Sequence, residues 1–245
     1  MFRVEDRHWW FSGKRRLVGA ILSKLSNHGN IPAGARILDV GCGTGGMHLL
    51  LQQYGKITAV DGSPLALEWN QRRGIATLAR GSLPNLPFQT DAFDFVTIFD
   101  VLYHRNVGDD AVAAAELYRV VKPGGILLVT DSALPILTGP HDVSMHGARR
   151  YTKRSIRTLL MNAGFEVERV SYMNFLLAPA AIPWRLLQKW FGGGEAHGNS
   201  DVKPSPAWIN FILNIIYAFE AVLIRAFDLP IGTSIAAVAK KPARQ

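Results

Sequence analysis

Four glycines in six positions, between residues 41 and 46, form the stretch of this sequence best suited to hold a ligand. An apolar run at 36–40 precedes them and is typical of a buried strand, and residues 47–51 follow as a predicted helix. Glycine permits positive φ and lets the backbone approach a ligand, while a helix start offers free N–H groups. The residues of this turn predicted to bind a nucleotide-like ligand are Gly41, Cys42, Gly43 and Gly45.

Acidic residues follow three further predicted strands, and they are Asp61, Asp100 and Asp131. Asp61 lies 20 residues beyond Gly41, where a doubly wound fold places an acid that binds ribose hydroxyls. Because the carboxyl ends of parallel strands meet at one edge, we expect these acids and the glycine turn to share a ligand site. The glycine spacing also satisfies the dinucleotide pattern, so these residues alone leave the ligand class open.

The elements that must position these residues alternate between strand and helix. The predicted strands of the first half are residues 36–40, 56–60, 76–79, 94–99 and 126–130. Helices predicted at 63–73 and 109–120 separate them, and a tight turn is predicted at 122–125. Such alternation predicts an α/β fold with a doubly wound, mainly parallel sheet and helices on both faces.

Four stretches in this half resemble, in the same order, the class I methyltransferases that use S-adenosylmethionine. They are Leu-Asp-Val-Gly-Cys-Gly-Thr-Gly at 38–45, Val-Asp-Gly-Ser-Pro at 60–64, Leu-Pro-Phe at 86–88 with Phe-Asp at 93–94, and Val-Val-Lys-Pro-Gly-Gly at 120–125. A dehydrogenase would normally carry a small or apolar residue where Asp39 stands. The resemblance implies a Rossmann-like sheet of seven strands whose last strand is antiparallel.

The resemblance also implies a place for each part of S-adenosylmethionine. The cofactor residues that it implies beyond the glycine turn are Asp61, Gly62, Ser82 and Leu83, and the charges of the cofactor add Asp39 and Asp100. It places the methionine moiety over the glycine turn, the ribose on Asp61 and the adenine near Ser82. Many relatives carry an aspartate where Ser82 stands, so the adenine contact departs from the family pattern. Acids such as Asp39 and Asp100 suit the sulfonium and ammonium charges of the cofactor.

The segment 140–151 carries side chains suited to an acceptor, and it resembles a histidine-and-arginine segment of a bacterial subgroup of these enzymes. His146 is the predicted general base, with His141 and His104 as alternatives, because histidine titrates near neutrality. A structural hydrogen bond is an equally open interpretation of each histidine. Arginine suits phosphate or carboxylate, and the predicted acceptor contacts are Arg149, Arg150 and Tyr151. No metal site is predicted.

The second half predicts a helix at 152–163, a sixth strand at 165–172 and a last strand at 234–240. The predicted parts of the chain are a helical lid at 1–30, a cofactor-binding core at 31–173, a helical apolar insertion at 174–232, and the last strand with its tail at 233–245. The lid holds a helix predicted at 5–26, whose aromatic start either packs on the core or covers a ligand.

The insertion is predicted to hold helices at 175–191 and 207–227, joined by a loop at 192–206. Its apolar surface is expected to meet the acceptor, a membrane surface, or a second chain in a homodimer formed through the 207–227 helix. Glu220 and Arg225 argue against a membrane-spanning helix, because a span needs about 20 nearly uncharged apolar residues.

The composition bounds these interpretations. The chain has 245 residues, a formal net charge of +8 and one cysteine, Cys42. A single cysteine excludes a disulfide framework and a cysteine zinc site, and no signal peptide is visible. The excess of positive charge fits an anionic partner or simply a basic surface. We therefore expect a cytoplasmic protein, either free or peripheral to the membrane.

The sequence predicts an enzyme that transfers a methyl group from S-adenosylmethionine to a small-molecule or lipid-linked acceptor, at oxygen. Two alternatives stay open at this point. A nucleic-acid methyltransferase or binder would use the positive charge, although the basic residues are scattered and no nucleic-acid partner is expected. A non-catalytic scaffold would keep the cofactor fold for assembly alone.

Overall fold

The computed structural model describes residues 5–139, 142, 146–190 and 205–244. Seven strands form one sheet, and they are β1 Ala35–Val40, β2 Gly55–Asp61, β3 Thr77–Arg80, β4 Phe93–Phe99, β5 Val121–Ser132, β6 Glu166–Met173 and β7 Ser234–Lys240. Helices flank the sheet, and they are α1 Trp9–Asn27, α2 His48–Leu51, α3 Pro64–Arg72, α4 Asp110–Val120, α5 Lys153–Asn162, α6 Ala178–Trp190 and α7 Ala207–Ala226. The division of the chain into four parts stays a prediction.

The strand order is β3-β2-β1-β4-β5-β7-β6. The first five strands pair in parallel, and β7 is antiparallel to both β5 and β6. This confirms the predicted seven-stranded, doubly wound α/β sheet with an antiparallel last strand. The order reverses direction between β1 and β4, and such a switch point is where open α/β sheets bind their ligands, beyond the carboxyl ends of the strands.

Helices cover the two faces of the sheet because neighbouring strand residues point to opposite sides. Ile37 of β1 packs into a core with Leu17 of α1 and Tyr217 of α7. The next residue, Leu38, packs into the opposite core, which includes Leu117 of α4. The apolar run that predicted β1 is therefore buried from both sides, which fixes the position of the glycine turn that follows it.

The first helix begins later than predicted. α1 starts at Trp9 instead of residue 5, because His8 acts as its N-cap and its Nδ1 accepts the amide of Trp10 at 3.2 Å. The aromatic rings at this start pack on the insertion: the Trp9 and Tyr217 ring centroids lie 6.1 Å apart. The core-packing interpretation of the aromatic residues is thus the one that the contacts support.

The prediction of a tight turn at 122–125 was wrong. These residues belong to β5, where they form a bulge opposite Asp94: Phe93 pairs with Val121, and Phe95 pairs with Ile126. The glycine conformation that indicated a turn is present, since Gly124 has φ +79°. The amide of Gly124 donates to the carbonyl of Lys241 at 2.8 Å, so the chain after β7 holds the bulge in the sheet.

The elements after β5 follow the prediction closely. Thr152 caps α5 with a reciprocal hydrogen bond to Ser155, as its position before the helix predicted. The insertion contains α6 and α7, and α7 ends at Ala226. The loop predicted at 192–206 lies outside the described residues except at its last two positions.

Candidate functional site

The glycine turn leaves the carboxyl end of β1 with backbone conformations that favour glycine. Gly41 and Gly43 have φ of +70° and +53°. A Cβ at Gly41 would overlap the side chain of Val101, so this glycine is needed for packing. A Cβ at Gly43 would meet no protein atom within 4 Å, so its Cα faces open space. The turn therefore presents bare backbone at Gly43, which is the approach that a ligand requires.

Asp61 ties the ends of β1 and β2 together. One carboxylate oxygen accepts the amide of Gly43 at 2.9 Å, and the other accepts the amide of Ser63 at 2.8 Å. A carboxylate has about four lone-pair sites, so both oxygens keep room for a further donor such as a hydroxyl. The structure thus brings Asp61 and the glycine turn together, as their positions after adjacent parallel strands predicted.

Three residues that no sequence pattern indicates hold the glycine turn in place through hydrogen bonds from other segments. Asn70 of α3 is buried and donates from Nδ2 to the carbonyl of Gly43 at 2.7 Å. Arg73 donates from Nε to the carbonyl of Thr44 at 2.8 Å and pairs with Glu5 at 3.1 Å. Glu5 also accepts the hydroxyl of Thr44. No local pattern marks these side chains, because each belongs to an element distant from the turn.

A cluster of carboxyl groups lies next to the turn around Lys14 of α1. Asp39 is buried and accepts the Thr97 hydroxyl at 2.9 Å, and burial raises its pKa to about 7. Burial, with Asp100 nearby, raises the pKa of Asp131 to about 8, and Asp131 accepts the amide of Tyr103 at 3.1 Å. Asp100 forms an ion pair with the Lys14 ammonium.

Lys14 is therefore the cation that this cluster of carboxyl groups surrounds. Its charge lowers the pKa of both Asp39 and Asp131, which opposes the effect of burial. The backbone of Asp100 is in the left-handed region, with φ +55°, and such outliers in non-glycine residues concentrate at functional sites. A ligand that carries positive charge would act in the same direction as Lys14, lowering the pKa of these buried carboxyls and pairing with the carboxylates that it keeps ionised.

The remaining residues predicted to contact the cofactor divide by exposure. Ser82 is exposed after β3, whereas Leu83 is buried in the core. Gly62 stands beside the carbonyl of Gly81, at ordinary contact distance for an added Cβ. The Cys42 thiol is buried, and burial together with Asp39 raises its pKa, which favours the protonated thiol over the reactive thiolate.

Two of the three predicted histidines come together beyond β4. The ring centroids of His104 and His146 lie 5.6 Å apart, and the amide of Arg105 donates to the His146 carbonyl at 2.9 Å. Burial, followed by the charge of His146, lowers the pKa of His104, while the Asp61 carboxylate raises it. The third predicted histidine, His141, lies outside the described residues.

The predicted acceptor contacts have partners within the chain. Arg150 is buried and pairs with Asp142 at 2.6 Å, and it also donates to the carbonyl of Ala133. Tyr151 donates its hydroxyl to Asp110 at 2.8 Å. Arg149 donates to the carbonyl of Gly108. These bonds fix the loop that carries His146, and the role of the three residues in binding an acceptor stays a prediction.

Among the described residues, no group of three or more histidine, cysteine or acidic side chains could hold a metal ion.

Residues 38–129 match the methyltransferase-domain family Methyltransf_11. The match begins within β1 and ends within β5, so it contains the glycine turn, Asp61 and Asp100. This core is a class I S-adenosylmethionine-dependent methyltransferase domain. The prediction made from the ordered motifs is confirmed, and the cofactor of the domain is S-adenosylmethionine.

Curated relatives of this methyltransferase domain are similar over the same part of the chain. The demethylmenaquinone methyltransferase of Staphylococcus epidermidis is 35% identical over 116 residues, which are 44% of this chain and 47% of the relative. That of Oceanobacillus iheyensis is 36% identical over 120 residues, covering 45% and 50%. The chain spans about half the length of the curated relatives that it matches.

Solved structures share the fold across most of the chain. A Haemonchus contortus phosphoethanolamine N-methyltransferase, in complex with phosphomonomethylethanolamine and S-adenosylhomocysteine, has a TM-score of 0.57 at 20% identity; the match covers 90% of this chain and 52% of that one. The 4+2 cyclase SpnF has a TM-score of 0.56 at 21% identity, covering 92% and 82%. At such identities the likeness shows the fold alone.

The geometry of this methyltransferase domain fits its cofactor. Gly43 leaves space for the approach of a ligand, Asp61 keeps lone pairs at the turn, and the carboxyl cluster already pairs with one cation, Lys14. Methyl transfer is an in-line displacement, so much of its catalysis can come from holding the reacting atoms in line. The two histidines lie beyond β4, at the same edge of the sheet.

Proposed function

We propose that this chain transfers a methyl group from S-adenosylmethionine to an oxygen of a small apolar acceptor, either free or lipid-linked. The observation that carries the proposal is the shared edge, where the open glycine turn, Asp61, His104 and His146 lie in the segments that follow β1, β2, β4 and β5. Relatives named as demethylmenaquinone methyltransferases support a small, lipid-like acceptor. The lone cysteine, which cannot form a disulfide within the chain, fits a reducing cytoplasm.

In this proposal each part of the cofactor has a group of the chain to hold it. The backbone of the turn between residues 41 and 45, open at Gly43, faces the methionine moiety, and Asp61 accepts ribose hydroxyls. The adenine lies near Gly62, Ser82 and Leu83. Asp39 and Asp100 face the positive charges. When bound, the cofactor supplies a methyl group on a sulfonium sulfur, and the chain supplies alignment and a base.

His146 is the better candidate for the base. The Nδ1 of His104 is 3.2 Å from the amide of Asn106 and accepts its hydrogen, so neutral His104 carries its own hydrogen on Nε2. That tautomer donates and cannot take a proton at Nε2. His146 is exposed, and its backbone φ of +55° turns the loop at this position. We therefore assign proton removal from the acceptor hydroxyl to His146, and a positioning role to His104.

The roles of Arg149, Arg150 and Tyr151 follow from their bonds. Arg150 is neutralised by Asp142, and Tyr151 is held by Asp110, so both position the loop that carries His146. Arg149 is the least buried of the three and pairs with Asp110 at 3.6 Å, which leaves it the best placed to meet an anionic part of the acceptor.

Calorimetric titration of the full chain with S-adenosylmethionine and with NAD tests the cofactor part of this proposal. We expect binding of S-adenosylmethionine, and we expect Asp61→Ala to weaken it by about 1.5–3 kcal/mol, the scale of hydrogen bonds to a charged group. Glu168→Ala, on the exposed part of β6, is the matched control. Tight NAD binding without a response to S-adenosylmethionine would overturn the proposal.

A further inference from the structure

α7 turns its polar residues inward. The Asn210 side-chain oxygen accepts the amide of Trp9 at 2.9 Å, and the Asn214 side-chain oxygen accepts the Ser12 hydroxyl at 2.9 Å. Glu220 is fully buried and accepts the amide of Leu176 at 3.1 Å. The polar side chains of this helix therefore form their hydrogen bonds with α1 and with the segment after β6. An ordinary surface helix has the reverse arrangement, with its polar stripe facing solvent.

The opposite face of α7 is apolar and exposed. Its large side chains are between 44 and 68% exposed and recur at helical spacing: Trp208, Phe211, Ile212, Ile215, Phe219 and Val222. Six large apolar side chains on one helix face form a continuous exposed patch, whereas the apolar residues of a normal protein surface are scattered singly. A patch of this kind marks an interaction site. We call these six residues the α7 apolar face.

The α7 apolar face does not belong to a spanning helix in this fold. α7 is the one helix among the described residues that is long and apolar enough to cross a membrane by length and composition. However, its other side is docked at both ends: Asn210 bonds to α1, and the Arg169 guanidinium bonds to the carbonyl of Phe227 at 2.9 Å. A span would have to break these bonds and expose Glu220 to lipid, so the docked helix is not available to cross a bilayer.

The charges around the face favour a lipid surface over a second copy. α1, which runs beside α7, carries four basic residues and no acidic one. Arg16 lies one helical turn beyond Ser12, which bonds to α7, and Lys24 lies about two turns further along the same helix. Neither forms an ion pair within the described part of the chain. Two copies at +8 each would repel one another, whereas an anionic bilayer attracts the same charges.

The α7 apolar face also extends toward the edge that holds the site. Glu220 bonds to Leu176, three residues beyond the carboxyl end of β6, while Asp228 pairs with Arg169 in the middle of that strand. Residues before Glu220 therefore continue past the carboxyl edge. There α1 accompanies them, and its Lys14 pairs with Asp100 of the cofactor site.

We propose that α7 is an in-plane membrane anchor that inserts its apolar face into an anionic bilayer surface, with Arg16 and Lys24 near the headgroups. The role of this anchor rests on the proposed function, because an enzyme that acts on a lipid-linked acceptor can reach that acceptor when the carboxyl edge of its sheet lies at the bilayer. The binding itself is independent of the reaction.

Flotation of the full chain with vesicles tests the anchor. We expect partition onto vesicles of mixed phosphatidylcholine and phosphatidylglycerol, and weaker partition onto phosphatidylcholine alone. The double variant Phe211→Ser/Phe219→Ser should lower partition at least about tenfold, since two large apolar side chains lose their burial. The matched control is Leu65→Ser/Met161→Ser, two residues that are similarly exposed on other helices. Arg16→Gln and Lys24→Gln should each lower partition onto the anionic vesicles about fivefold.

Partition that is absent in the wild type, or equal in the wild type and the phenylalanine variant, would overturn the anchor. So would a dimer in sedimentation equilibrium that the phenylalanine variant converts to monomer, because the face would then meet a second copy. Titration of the same variants with S-adenosylmethionine should give the wild-type affinity, which shows that they fold. A wild type that floats but does not bind the cofactor would overturn the proposed function and leave the anchor standing.

Discussion

The carboxyl edge of the sheet has two halves that are built in different ways. The half around Gly43 and Asp61 is assembled from backbone: positive φ values, amides and one carboxylate between two adjacent strands. The half around His146 is assembled from side chains of separate segments, held by Arg150, Asp142 and Asp110. A backbone-built site depends on local sequence, whereas the second half depends on packing between distant elements.

The largest loss of cofactor affinity should come from a side chain that fills the open space beside the glycine turn. Gly43→Val should weaken S-adenosylmethionine binding at least roughly 100-fold, because a β-branched side chain would fill the open approach and strain a positive φ. Gly34→Val is the matched control, since Gly34 also has positive φ and open space but precedes β1 at the other edge. Titration calorimetry gives both affinities. Equal weakening in the two variants would mean that backbone strain, and not ligand approach, is what matters.

The second half is tested by removing its base. His146→Asn should lower turnover roughly 10²–10⁴-fold, the usual scale for a general base, with unchanged affinity for the cofactor. Asparagine tolerates the left-handed backbone that His146 adopts, so the loop is kept. His28→Asn, exposed after α1, serves as control. Near-wild-type turnover of His146→Asn on its acceptor would show that alignment alone drives the reaction.

The pH dependence of stability tests the charges of the backbone half. Burial raises the pKa of Asp39 from 3.8 to about 7, so the folded state holds the proton more tightly than the unfolded state. The associated stability is present below about pH 4 and is lost as the pH rises through 7. Asp39→Asn keeps the Thr97 hydrogen bond and should gain about 2–4 kcal/mol relative to wild type between pH 4 and pH 8.

Urea unfolding without cofactor at these two pH values measures the difference, with Glu168→Gln as an exposed control. Parallel stability curves for wild type and Asp39→Asn would show that Asp39 titrates normally in the fold, and the electrostatic account of this half would fail.

The smallest expected change in cofactor affinity concerns Lys14, the residue through which α1 contacts the cofactor half of the edge. Lys14→Met leaves Asp100 without its ion pair, so the positively charged cofactor should bind about threefold more tightly. S-Adenosylhomocysteine lacks the sulfonium charge and should change less. Lys24→Met, on the same helix, is the control, and titration with both ligands measures the effect. A clear loss of affinity would show that Lys14 helps to hold the cofactor instead of competing with it.

The two halves also differ in how far the sequence predicts them. The strand order, Asp61 and the glycine turn follow from local patterns, because parallel strands bring their carboxyl ends to one edge. Asn70, Arg73 and Glu5 could not be predicted, since their contacts depend on how α3 and the N-terminal segment pack. The wrong prediction of a turn at 122–125 has the same cause, because it is the chain after β7 that pairs with these residues and makes them a bulge in the sheet.

The orientation of α7 was equally hidden from the sequence. Its composition predicts an apolar helix with a narrow polar side, but whether that side faces the core or solvent depends on α1. Glu220 counts against a span because it is a charged residue in an apolar segment, and the structure shows it buried and bonded to the amide of Leu176. The tertiary contacts therefore decide what an amphipathic pattern means.

Transfer of labelled methyl groups tests the central claim most directly. The full chain is incubated with methyl-labelled S-adenosylmethionine and a cell extract, which is then separated into organic-soluble, nucleic-acid and protein fractions. We predict chain-dependent label in an organic-soluble small molecule, with no such label from Gly43→Val. Label that enters nucleic acid or protein instead, or no label that depends on the chain, would contradict a methyltransferase that acts on a small apolar acceptor.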